Sequence, residues 1–87
     1  MHDSYWKSVW KAAHERLNHL MKDCDHDVAD IVGDDDGIDS YADAKKVLAH
    51  ALRCADTREE EACAILSVCE ALTALHELHE HSEQAGA

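Results

Sequence analysis

Hydrophobic positions recur at helical spacing along almost the whole chain. The widest apolar face belongs to residues 57–81. There Ala62, Ile65, Leu66, Val68, Cys69, Leu72 and Leu75 spread over a broad arc of one helix. A face that wide predicts a helix contacted from two sides. Thr57 followed by Glu60 is a capping box, and Glu59, Glu60 and Glu61 put negative charge at the positive end of the helix dipole. Nearer the N-terminus, Trp6, Trp10, Ala13, Leu17, Leu20, Cys24, Val28 and Ile31 recur at alternating short helical steps, with Val9 beside them. That seam predicts a first helix over about 4–32, capped by Asp3 or Ser4. Asp23, Asp25 and Asp27 are poor interior residues, so this helix reads as continuous or gently kinked there, with two helices split near Asp25 as the alternative.

Between these lies a shorter periodic stretch, Tyr41, Ala44, Val47, Leu48, Ala51, Leu52 and Ala55, started by Asp39 or Ser40 and read as a helix over 40–55. Gly33 and Gly37 bracket Asp34, Asp35 and Asp36 in a clear loop. Ala55-Asp56-Thr57 leaves room only for a tight antiparallel return. Residues 82–87 read as a frayed tail. The pattern predicts one all-α domain over 1–87, a small three-helix bundle. Because the middle helix is short, Trp6, Val9, Trp10 and Ala13 would overhang it, with Leu17 next along the same docking seam. An uncovered stripe with two tryptophans predicts a homodimer through helix 1. The alternative is that helix 1 folds this stripe onto its own bundle.

Composition agrees with helices: no proline and only three glycines in 87 residues. No apolar run is long enough to span a membrane, and the charged N-terminus does not read as a secretion signal. Cys24, Cys54, Cys63 and Cys69 form no CxxC. They read as reduced cysteines packed as small hydrophobes in a cytoplasmic protein, with a Cys54–Cys63 bridge as the alternative.

The formal net charge of −11 is unevenly spread. Residues 23–43 carry nine aspartates and residues 59–87 seven glutamates, neither block containing Lys or Arg. Phosphate would be repelled, so direct binding to nucleic acid or an anionic membrane is not expected. The expected partner is a basic protein surface, and the candidate contact residues are Asp23, Asp25, Asp27, Asp30, Asp34, Asp35, Asp36 and Asp39.

Eight histidines raise the question of a metal. His76 and His79 are one turn apart, and Asp34, Asp36, Asp39 or Asp43 are the candidate carboxylates to complete a two-His, one-carboxylate set for Zn, Ni or Cu. His50 and Cys54, four apart, form a second pair. The bland reading of the terminal histidines is interaction with the helix dipole. The acidic loop fails as a calcium site, because setting Gly37 at the EF-hand glycine puts Val32 at the first ligand position. HExxH, GxSxG and a phosphate-binding glycine loop are all absent. No catalysis and no obligate cofactor are expected.

The function expected is therefore a non-enzymatic interaction module that occludes a basic, nucleic-acid-binding surface. Short acidic helical proteins of this sort resemble, as a class and with no motif behind it, phage-encoded inhibitors of host restriction and CRISPR complexes. The alternatives are a metal-binding bundle and a small regulatory or assembly subunit docking through helix 1.

Overall fold

A computed structural model describes the backbone of residues 2–24, 26–33 and 37–86. The described residues are helical and contain no strand. The α-helices are α1 (His2–Leu20), α2 (Val28–Val32), α3 (Tyr41–Cys54) and α4 (Arg58–Gly86), with a short 3-10 turn at Lys22–Cys24 between α1 and α2. The all-α expectation holds. The element count differs from the continuous-helix reading, because the first helix is split in two between Leu20 and Val28, as in the alternative reading.

α1 stops at Leu20, and the chain tightens into a turn in which the Cys24 N–H donates to the Met21 carbonyl at 3.0 Å. Two polar side chains make the break. Asp27 is the N-cap of α2, its carboxylate accepting the Asp30 N–H at 2.8 Å. Asn18, in the last turns of α1, accepts the Val28 N–H at 2.8 Å and holds the start of α2 against α1. Gly33, at φ +75°, closes α2 in the left-handed region and donates its N–H to the Ala29 carbonyl. The heptad seam continued through this elbow because Val28 and Ile31 still face the core, so spacing alone reads as one helix.

The α3 and α4 starts match their sequence signals. Ser40 accepts the Asp43 N–H, and Asp43 reaches back to the Asp39 N–H. Thr57 accepts the Glu60 N–H at 3.1 Å. α4 continues through Gly86 rather than ending at His81. Its 29 residues give a rod of about 43 Å at the α-helical rise, close to the molecule's longest dimension of 45 Å.

α1 lies antiparallel along α4: Trp6 and Val9 sit beside Cys69 and Thr73, and Arg16 beside Ser67. α3 packs on α4 and α2. The core gathers Leu17 and Met21 from the α1 side, Val28 from α2, Ile38 from the loop, Val47 from α3 and Val68 from α4. What α4 contributes is mostly small. Ala64, Ser67, Ala71 and Ala74 are buried, a stripe at helical spacing that admits the other helices closely. This corrects the predicted face. α4 is contacted from two sides, as expected, but Ala62, Ile65, Leu66 and Cys69 point to solvent, Ile65 and Leu66 being 45% and 60% exposed.

The overhang also disappears. α4 is long enough to run beside all of α1, so Ala13 and Leu17 are fully buried in the chain's own core and Trp10 packs against it. The uncovered tryptophan stripe that argued for a helix 1 dimer is therefore largely used inside the chain.

Cys24 and Cys54 are joined as a disulfide, with Cα atoms 6.3 Å apart, which corrects both the reduced reading of this pair and the Cys54–Cys63 alternative. Cys63 and Cys69 are free. The case for the cytoplasm that rested on reduced cysteines lapses with it. No helix among the described residues is long and apolar enough to cross a membrane.

Candidate interaction surface

Of the eight aspartates proposed as contacts, Asp25, Asp34, Asp35 and Asp36 lie outside the described residues, as does the side chain of Asp23. Asp27, Asp30 and Asp39 are exposed. Asp27 is committed to capping α2. Asp30 and Asp39 carry no salt bridge among the described residues, and the same holds for Glu59 and Glu61 on α4. The acidic surface thus retains open carboxylates on two elements.

The larger feature was not expected. Leu66 and Cys69 on the outer side of α4 continue sideways onto Tyr5, Trp6 and Val9 of α1, lining a shallow hollow of about 300 Å³ together with Glu70 and Thr73, and Ile65 beside them is exposed. A neighbouring hollow of about 400 Å³ shares Leu66 and Glu70 with it and adds Ala62, Cys63 and Glu59. Beyond Arg58, α4 has no Lys or Arg, so the glutamates around this strip outnumber its cations. The Arg16 guanidinium is occupied, donating through Nε to Ser67 Oγ at 3.2 Å and through Nη2 to Glu70 at 2.6 Å. Sequence periodicity contained the signal, because the arc on α4 was wider than one core needs. It did not say which side of the arc would be covered.

The seam residues divide accordingly. Trp6 and Val9 are half-buried at the edge of the strip, whereas Trp10, Ala13 and Leu17 face inward. Trp10 donates its indole N–H to the Ile38 carbonyl at 3.2 Å.

His14 was not singled out by spacing and turns out to be held at both ring nitrogens. It is buried, stacked on Trp10 with ring centroids 3.8 Å apart. Nε2 accepts the Ile38 N–H at 3.0 Å, so the proton is on Nδ1, which donates to the Trp10 carbonyl at 2.7 Å. Burial lowers its pKa below the ordinary histidine value, outweighing the opposing pull of the Trp10 carbonyl. This is a structural knot tying the acidic loop's exit to α1.

Among the described residues the expected metal set is not brought together. His76 pairs with Glu80 at 3.2 Å on its own helix, His79 and Asp39 are exposed, and Asp36 is outside the described residues. With Cys24 and Cys54 bonded to each other, no three free donors converge among the described residues. An open hollow of about 810 Å³ between the end of α1 and the start of α4 collects Glu15, His19, Glu59, Glu60 and Cys63. The Cys63 thiol there meets Ser67 Oγ at 3.9 Å, and no histidine or carboxylate is hydrogen-bonded to it among the described residues.

No protein-family model matches the chain, and neither the curated proteins nor the solved structures contain a match to it.

Proposed function

We propose that this protein is a non-enzymatic interaction module that seats an acidic, partly apolar surface on a Lys- and Arg-lined surface of a partner protein, of the kind that otherwise holds nucleic acid. The observation that carries this reading is the outer side of α4, where Ile65 and Leu66 are exposed and Leu66 shares a hollow with Glu59 and Glu70. An exposed apolar strip supplies contact energy, and a chain of formal charge −11 selects a cationic partner and speeds encounter with it. The mode of action is occlusion: the carboxylates take the place of phosphates and the helical body blocks the groove. The metal-binding alternative through His76 and His79 has less support, because His76 is engaged with Glu80.

The reading is tested by affinity capture from extracts of the source cells at low and high salt. The expected partner is a cationic nucleic-acid-binding protein, retained at low salt, released as salt rises, and weakened both by Leu66→Glu and by Asp30→Asn with Asp39→Asn. Capture that ignores salt and both sets of substitutions would show the reading to be wrong.

A further inference from the structure

We propose that Cys24, His26, His50 and Cys54 form a zinc site when the two cysteines are reduced. Four donors of the right kind come from two segments that touch at two points. Cys24 and His26 are two residues apart at the elbow between α1 and α2, and His50 and Cys54 are one helical turn apart on α3. The structure pairs them like with like. Cys24 and Cys54 are within bonding reach, their Cα atoms 6.3 Å apart, and the His26 and His50 rings stand edge to face with centroids 5.6 Å apart.

Those separations suit one tetrahedral ion. With zinc–nitrogen bonds of about 2.0 Å and tetrahedral angles, two bound imidazoles have ring centroids roughly 5 Å apart. With zinc–sulfur bonds of about 2.3 Å, two bound thiolates lie roughly 3.8 Å apart. The Cα separation of the cysteines accommodates that spread with side-chain rotation. Two sulfurs and two nitrogens are a donor set that selects zinc among common divalent ions. Among the described residues neither His26 nor His50 has a salt bridge that would compete for it, unlike His76.

The crosslinked and metal-bound forms exclude each other, because the same two sulfurs make either bond. A dithiol reductant cleaves the sulfur–sulfur bond, leaving Cys24 and Cys54 as thiols and itself becoming a cyclic disulfide. Zinc then binds both sulfurs as thiolates, releasing those two protons, while His26 and His50 bind as neutral imidazoles. In either form the elbow stays fastened to the end of α3. In a chain of 87 residues whose core is rich in alanine, such a fastening is a large share of the stability.

The test uses the full chain without a His tag, reduced with a phosphine under inert gas and titrated with Co²⁺ and then Zn²⁺. The expected result is one equivalent of Co²⁺ with the absorption of a tetrahedral, thiolate-bound ion, displaced by Zn²⁺, and a melting temperature raised by Zn²⁺. His50→Ala and Cys54→Ser each weaken binding by at least about tenfold, whereas His76→Ala with His79→Ala leaves it unchanged. His50 is only half-buried, so its variant reports on the site even where Cys54→Ser loses fold by circular dichroism. No uptake by the reduced chain, a Co²⁺ spectrum lacking sulfur-to-metal bands, binding that survives His50→Ala, or equal uptake by the oxidised chain each overturns the assignment.

Discussion

A Cβ placed on Gly37 would sit 2.6 Å from Nε2 of His14. The same glycine has φ +72°, and Nε2 is the atom that accepts the next residue's N–H. The backbone passes so close over the imidazole because there is nothing on Gly37 to stop it. Gly37→Ala is therefore penalised twice, once for the left-handed backbone and once for the collision with a ring fixed at both nitrogens. It should lower unfolding free energy by about 2 kcal/mol or more. Gly33→Ala is the control: the same region at φ +75°, but with nothing within 4 Å of the new atom, and a cost of only about 1 kcal/mol. Urea unfolding of the two variants measures the difference, and equal losses would remove the close approach as a cause.

The burial of His14 also predicts a pH dependence. The folded protein holds this ring neutral with a lowered pKa, so between that value and the ordinary one near 6.5 the unfolded chain binds more protons. Stability must then rise with pH across that window. The His14 contribution is complete above the unfolded value and is lost as pH falls through the folded one. Denaturant unfolding from pH 7.5 to 5 should show a steeper fall for the wild type than for His14→Gln, whose amide does not titrate.

The two sides of α4 predict opposite responses to a bulky or charged residue. Leu66→Glu changes a side chain 60% exposed and should leave the melting transition within about 0.5 kcal/mol of wild type. Ala71→Leu forces three extra carbons into a position of 0% exposure between packed helices and should cost about 2 kcal/mol or more. Thermal melts of both variants check this. The reverse ranking would mean that the covered side has been misidentified.

Breaking the crosslink should be expensive in the oxidised, metal-free protein. Cys24 and Cys54 are 30 apart in sequence, and closing a loop of that length restricts the unfolded chain by about 3–4 kcal/mol. Cys54→Ser, compared with wild type in the presence of chelator, should lose stability of that order by guanidinium unfolding. A loss well under 1 kcal/mol would mean the elbow is held without the bond.

Much of the fold was legible because helix starts carry local chemistry. Ser40 and Thr57 cap where their sequence neighbours said they would, since a cap is a contact between residues three apart. The elbow after Leu20 was less legible because its decisive contact, Asn18 to the Val28 N–H, spans ten residues and leaves hydrophobic spacing undisturbed. The covered side of α4 was not legible. Alanine gives a weak hydrophobic signal, yet Ala64, Ala71 and Ala74 are buried because small side chains permit close approach, while the stronger signal of Ile65 and Leu66 faces water. At the interaction surface, composition identified the sign of the charge but not the strip beside it. The Cys24, His26, His50, Cys54 meeting needed the elbow, which places two donors opposite two on α3.

The five-residue α2 is far below the length at which a helix persists by itself in water. Its surroundings hold it: Asn18, Asp27 and the Cys24–Cys54 fastening secure its N-terminal end, Gly33 closes the other, and Val28 is packed in the core. Its amides should consequently exchange with deuterium as one cooperative group, opening well before α1 or α4, and at a rate set by the oxidation state of a sulfur pair outside the helix.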